Sequence, residues 1–264
     1  MFSRASDGTA YEFIGSTDNP TLVLIHGLGL CRNLWEPFLP ELSRDFSILI
    51  YDLHGHGNST PVPKTTNLTV YANQIKLLLD HLNIPEATLV GFSIGGMINR
   101  RFAMMFPETT RALAILNSPH NRGKEAQIQV EERANSVRIQ GPTATLDEAL
   151  KRWFTPEFLD EKEDYKKVCQ WRELVDPESY AQAAWVLANG VRELIAPEPP
   201  IQCPTLVLTS ENDTGSTPKM SRDIAGEISG SELIIVPNLR HLGLMENPDL
   251  FCNHLVRFLN QNTL

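Results

Sequence analysis

Short runs of β-branched and large apolar residues alternate along the chain with stretches whose apolar positions recur every three or four residues. The runs at 11–14, 21–25, 47–51, 88–91, 112–117, 205–209 and 233–236 predict strands. Several are apolar at nearly every position, as strands buried on both faces of a parallel sheet are. Between them Leu68, Tyr71, Ala72, Ile75, Leu78, Leu79 and Leu82 fall on one face of a helix, and Phe251, Leu255, Phe258 and Leu259 on one face of another. Strands alternating with amphipathic helices predict an α/β fold, a mainly parallel sheet covered on both sides.

That alternation stops after Asn117. From about 119 to 200 no parallel strand is predicted; the segment is helical in pattern, rich in charge and carries Trp153, Trp171 and Trp185. It closes on Ala196-Pro197-Glu198-Pro199-Pro200, a cluster that ends helices and returns the chain to the sheet. The expected organisation is a core made of 1–118 and 201–264, interrupted by a helical cap over 119–200.

With 264 residues the chain has room for one large α/β domain, and 42% hydrophobic with 21% charged residues is ordinary for a globular enzyme. The net charge of −9 argues against a nucleic-acid or anionic-membrane partner. Cys31, Cys169, Cys203 and Cys252 show no metal-ligand or redox spacing, which suits reduced thiols. The first residues lack a signal-peptide core and no run approaches a membrane span, so the expected location is cytoplasmic.

Candidate chemistry centres on Gly91-Phe92-Ser93-Ile94-Gly95-Gly96, which follows a predicted strand and opens the helical pattern at 97–106. A serine at the apex of such a strand–turn–helix elbow projects its hydroxyl clear of the sheet. Glycines flank it because a Cβ at Gly91 or Gly95 would clash as strand and helix close up. A serine hydroxyl needs a base, and the base an orienting acid. His241, in the loop after the last strand, is the expected base; His26 and His120 are the rivals. Asp213, in the turn after the strand at 205–209, is the expected acid, with Glu211 competing two residues away. The backbone amides of Ile94 and Leu28, the latter within His26-Gly27-Leu28-Gly29, are expected to receive a developing oxyanion. A second turn, Asp52-Leu53-His54-Gly55-His56-Gly57-Asn58-Ser59, sets two histidines one residue apart, yet no further ligand cluster completes a metal site. No metal or cofactor is expected.

These elements, in this order, resemble the α/β-hydrolase superfamily over essentially the whole chain. The resemblance implies an eight-stranded, mostly parallel sheet under a helical cap. Within the superfamily the chain is similar to the 3-oxoadipate enol-lactonases, through Leu116-Asn117-Ser118, Arg152-Trp153-Phe154-Thr155-Pro156, Asp176-Pro177-Glu178-Ser179-Tyr180-Ala181, Arg240-His241-Leu242 and Glu246-Asn247-Pro248. Two departures stand out: His54 where these relatives carry arginine, and an acid turn after Asp213 longer by one residue. The serine at the elbow separates the chain from dehalogenases and epoxide hydrolases, which need a carboxylate there. Leu242 separates it from carbon–carbon bond hydrolases, which show tryptophan after the histidine. Perhydrolases resemble the esterases too closely to be set apart.

The expected activity is hydrolysis of a small-molecule carboxylic ester or lactone through Ser93, His241 and Asp213. A carbon–carbon hydrolase, a perhydrolase, and a non-catalytic receptor on the same scaffold are the alternatives. Expected substrate contacts are His26, Gly27, Trp153 and Arg133, with Arg122 and Arg138 as further candidates for an anionic group.

Overall fold

The computed structural model describes residues 2–61 and 65–263. Eight strands form one sheet in the order β1-β2-β4-β3-β5-β6-β7-β8. In chain order these are β1 (Ser3–Arg4), β2 (Ala10–Ile14), β3 (Thr21–Ile25), β4 (Ser47–Tyr51), β5 (Ala87–Phe92), β6 (Thr110–Leu116), β7 (Thr205–Ser210) and β8 (Glu232–Val236). The pairs β1–β2 and β2–β4 are antiparallel, and all pairs from β4 to β8 are parallel. The fold is the α/β-hydrolase fold. All seven expected strands are present, within two residues at their ends. The eighth, β1, is two exposed residues long, too short to carry a periodicity.

The helices are α1 (Leu39–Leu42), α2 (Leu68–His81), α3 (Ile94–Met105), α4 (Lys124–Gln140), α5 (Leu146–Trp153), α6 (Pro156–Glu161), α7 (Tyr165–Glu173), α8 (Pro177–Asn189), α9 (Pro218–Glu227), α10 (Gly243–Glu246) and α11 (Pro248–Asn262). Many start where a capping side chain precedes proline: Thr155 before α6, Asp176 before α8, Thr217 before α9 and Asn247 before α11 each accept an amide of the first turn. Strand alternation divides the core between two layers. Val23, Ile25 and Leu89 pack with the α2–α3 side, while Leu22, Leu24, Val90 and Phe92 pack with the α11 side. Helices α4 to α8 all lie between β6 and β7 in the chain.

The chain runs from β3 outward to β4 and then crosses back to β5, so strand order reverses between β3 and β5. At such a switch point the loops beyond the strand ends diverge and leave a crevice. The loop after β3 carries Gly27 and Leu28; the turn after β5 carries Ser93. Close approach here depends on missing side chains. A Cβ on Gly91 would stand 2.2 Å from the carbonyl oxygen of Gly95, and one on Gly95 would stand 2.4 Å from that of Ile25. Neither neighbour is a side chain able to swing away. Gly91→Ala is therefore expected to cost about 3 kcal/mol or more, lowering Tm by roughly 5–10 °C. Thermal denaturation checks this, and a Tm matching wild type would refute the packing argument.

Candidate active site

Ser93 sits between β5 and α3 with φ 58° and ψ −115°, a region that non-glycine residues rarely occupy. Such a conformation costs on the order of 1–3 kcal/mol and persists only where surroundings enforce it. Here the Ser93 amide donates to the Leu116 carbonyl at 2.9 Å, and the Gly96 amide donates to the Ser93 carbonyl at 3.0 Å. The reward is a hydroxyl aimed at His241: Ser93 Oγ lies 3.1 Å from His241 Nε2. On the other side of the ring, His241 Nδ1 lies 2.6 Å from Asp213 Oδ2. With Nδ1–H donating to the carboxylate, Nε2 is left to accept from the serine.

Asp213 is buried and fully engaged. Its Oδ1 accepts the amides of Gly215 and Ser216, each at 2.9 Å, and its Oδ2 also accepts Asn117 Nδ2 at 2.9 Å. Burial works to raise its pKa, but the charge and hydrogen bond of His241, with those of Ser216 and Asn117, hold it below the ordinary carboxylate value. Glu211, the rival acid, instead accepts the Asn238 amide at 3.1 Å. Of the rival bases, His120 bonds to Glu227 at 3.1 Å, and His26 is enclosed.

His26 stands apart from the expected substrate contacts. Its Nε2 accepts the Leu53 amide at 2.9 Å, so Nδ1 carries the proton and faces the Gly27 carbonyl at 2.8 Å. Burial lowers its pKa to about 4, leaving it neutral at physiological pH. It is a strut that ties the β3 loop to the β4 loop and does not line the cavity. His56 is likewise buried, its pKa lowered to about 3 by burial and then by His26. Asp52 explains the rest of that turn, since it receives the Arg32 and Asn58 amides at 2.8 and 2.9 Å and the Arg32 guanidinium. Among the described residues no group of three or more histidine, cysteine or acidic side chains is placed to hold a metal.

A cavity of about 340 Å³ opens onto Ser93 and His241. Of the expected contacts, Gly27, Trp153 and Arg133 line it, and so does Leu28, expected as an oxyanion donor. Leu28 and Ile94 leave their amides without an acceptor among the described residues. Ile94 does so as the first residue of α3, where helix amides point outward unpaired. Of the further arginines, Arg122 lines the cavity and Arg138 does not; Arg152, a point of family resemblance in the sequence, and Arg172, which carries no sequence signal, also line it.

The cavity is cationic within an acidic protein. Arg122, Arg133, Arg152 and Arg172 line it, and Asp213 is the only carboxylate among its described lining residues. None of the four has an ion-pair partner among the described residues. Burial, then the neighbouring Arg133, lowers Arg122 to about 10; burial, then Arg152, lowers Arg133. Arg172 is 1% exposed, donates to the Pro142 carbonyl at 3.1 Å and to Tyr180 Oη at 2.5 Å, and leaves Nε and Nη2 without a hydrogen-bond partner among the described residues. The rings of Tyr180 and Trp153, 4.6 and 5.3 Å from its guanidinium carbon, supply part of the stabilisation that a counter-ion would.

Comparison with known proteins places this architecture. Residues 20–138 match the family model described as the alpha/beta hydrolase fold. The chain is 31% identical to 3-oxoadipate enol-lactonase 2 of Acinetobacter baylyi, over 93% of this chain and 90% of that one. It is 29% identical to (E)-2-((N-methylformamido)methylene)succinate hydrolase of the same organism, over 93% and 92%. The solved enol-lactonase of Burkholderia xenovorans superposes with a TM-score of 0.85 at 27% identity, covering 98% of this chain and 100% of that one. With its fold and its named relatives in agreement, the chain is an enzyme of the α/β-hydrolase family, similar within it to the 3-oxoadipate enol-lactonases.

Proposed function

We propose that the protein is a serine hydrolase for carboxylic esters or lactones that themselves carry a carboxylate. The observation that carries this reading is the unbroken path from Asp213 through His241 to Ser93 at the wall of an arginine-lined cavity. Ser93 Oγ attacks the substrate carbonyl carbon while its proton passes to His241 Nε2. Asp213 keeps Nδ1 protonated and stabilises the imidazolium. The carbonyl oxygen, now an anion, receives the Ile94 and Leu28 amides. Collapse of the tetrahedral intermediate expels the alkoxide or enolate, which takes the proton from His241, and leaves Ser93 acylated. His241 then removes a proton from water, whose oxygen attacks the acyl carbon and frees the acid and Ser93. In a lactone the leaving oxygen stays tethered to the acid, and an enol released in this way becomes a ketone.

The helical insertion at 119–200 acts in this reading as a cap, because it delivers Arg122, Arg133, Arg152 and Trp153 to the cavity. Cations brought close together without a direct ion pair among the described residues favour a substrate that brings negative charge. Two relatives are named for a 3-oxoadipate lactone and a substituted succinate, and both names denote carboxylates.

The test compares p-nitrophenyl hydrogen succinate, p-nitrophenyl butyrate and the enol-lactone made from muconolactone. Wild type is expected to favour the carboxylate-bearing substrates. Arg152→Ala and Arg133→Ala are expected to raise KM for these about tenfold, roughly 1.4 kcal/mol of binding, and to leave the neutral butyrate within about twofold. Equal losses on charged and neutral substrates would refute charge recognition. Turnover of esters but not of the lactone would keep the serine mechanism and discard the lactonase substrate.

A further inference from the structure

Two segments far apart in the chain, 151–155 at the α5–α6 corner and 240–246 around the candidate base, are bonded to one another. We propose that Arg240 and Glu246 are positioning residues, which hold His241 by clamping its loop to that corner. The proposal rests on the hydrolase reading above.

The contacts bracket the histidine. On its N-terminal side, Arg240 Nη1 donates to the Lys151 carbonyl and, at 3.0 Å, to the Phe154 carbonyl. On its C-terminal side, the Leu242 amide donates to the Trp153 carbonyl at 2.9 Å. Glu246 closes the clamp: its carboxylate accepts the Thr155 amide at 2.9 Å and the Thr155 hydroxyl at 2.6 Å. The same hydroxyl caps α6 by accepting the Phe158 amide at 3.3 Å.

Each bond serves both partners. The carbonyls at the end of α5 have lost their intrahelical donors, and a guanidinium there also meets the negative end of the helix. Asp213 grips one ring nitrogen of His241, a single contact that does not by itself fix the backbone from which the ring projects. Bonds from both chain neighbours fix the backbone from which the ring projects, with the Phe92 and Trp153 rings 5.0 and 6.2 Å from it. A proton-transfer group has to be held within about 0.5 Å of its working position. Arg152 and Trp153 of the same corner line the cavity, so the wall that meets substrate and the loop that carries the base move as one piece.

The test uses Arg240→Ala, Glu246→Ala and Glu246→Gln in the full-length protein, with two readouts: kcat against KM, and the downfield proton resonance of the His241 Nδ1–H bonded to Asp213 in the resting enzyme. His241→Ala identifies that resonance. Both alanine variants are expected to lose about tenfold in kcat with KM within about twofold, and to weaken or lose the resonance. Glu246→Gln keeps one acceptor and is expected to retain most of both. A lowered Tm with kcat and resonance unchanged would assign the contacts to stability alone and overturn the proposal. Where an alanine variant does not fold, Arg240→Lys and Glu246→Asp are expected to show the same effects at about threefold, and unchanged values there would overturn it equally. A wild type that lacks turnover and forms no Ser93 adduct with a fluorophosphonate overturns the hydrolase reading instead. The resonance, read without substrate, still decides the clamp.

Discussion

Ser93→Ala is expected to lower kcat by about ten-thousand-fold or more, to abolish the fluorophosphonate adduct, and to leave the protein folded. The size follows from what the hydroxyl does. In the proposed mechanism no acyl-enzyme forms without Oγ, and water would have to attack directly, helped only by His241 and the amides of Leu28 and Ile94. That residual assistance accounts for a small part of the acceleration in enzymes of this design. Folding is expected to survive because the elbow is held by backbone bonds from Ser93 to Leu116 and from Gly96 to Ser93, none of which involves the side chain. Alanine inherits the unfavourable φ of 58°, so Tm is expected within about 2 °C of wild type. Turnover of the carboxylate-bearing esters and the lactone at near wild-type rate in this variant would remove Ser93 from the mechanism. Loss of activity together with loss of fold would instead mean that the hydroxyl supports the elbow.

The elbow was legible in the sequence because its constraints are local. A strand, a turn that excludes side chains two positions either side of a serine, and a helix lie within residues 87–105, and each leaves a mark in residue type. Asp213 and His241 were legible for a related reason: both fall just past predicted strands, and a parallel sheet brings such positions to one edge. The choice between Asp213 and Glu211 was not local. What favours Asp213 is its contact with His241 together with the Gly215 and Ser216 amides and Asn117, which comes from a turn after a different strand. His26 misled for the opposite reason. Its position beside Gly27 pointed to the substrate, whereas the Leu53 amide from the neighbouring strand's loop claims its ring.

The insertion was the least legible region. Trp153 and Arg133 were expected to contact substrate there, and both reach the cavity, but Arg152 and Arg172, which also reach it, were not. Which face of a helix turns inward depends on what packs against it, and Arg172 is enclosed by Tyr180, Trp153, Pro142 and the loop around Gly29. The bonds from 240–246 to 151–155 span about ninety positions of chain. No periodicity reports a contact of that kind. The sequence offered His241 and Trp153 as site candidates and nothing that joins their segments; the connection appears only where the loop after β8 meets the corner between α5 and α6.

Asp213→Asn separates the chemistry of the acid from its place in the fold. The new amide oxygen can take over at Oδ1, where the Gly215 and Ser216 amides donate. Its NH2 group then occupies the Oδ2 position, facing Asn117 Nδ2 and His241 Nδ1–H, so donor meets donor on two sides. Asn117 can relieve its half of the conflict. Its Oδ1 is buried without a partner among the described residues, so turning its amide over presents an acceptor to the new NH2. His241 can relieve the other half only by moving its proton from Nδ1 to Nε2. That tautomer satisfies the hydrogen bond and disables the base, because Nε2–H then points at Ser93 and cannot receive its proton. The expected result is a fall in kcat of about ten-thousand-fold, with KM little changed and a stability loss of only about 1–2 kcal/mol. Steady-state kinetics and thermal denaturation on one preparation measure both. Retention of a tenth or more of wild-type kcat would show that Asp213 does not set the tautomer of His241, and Glu211 would become the acid to test. A collapse of stability with activity would show that the network of Asn117, Gly215 and Ser216 needs the charge itself, since a carboxylate accepts from all of its donors at once and an amide cannot.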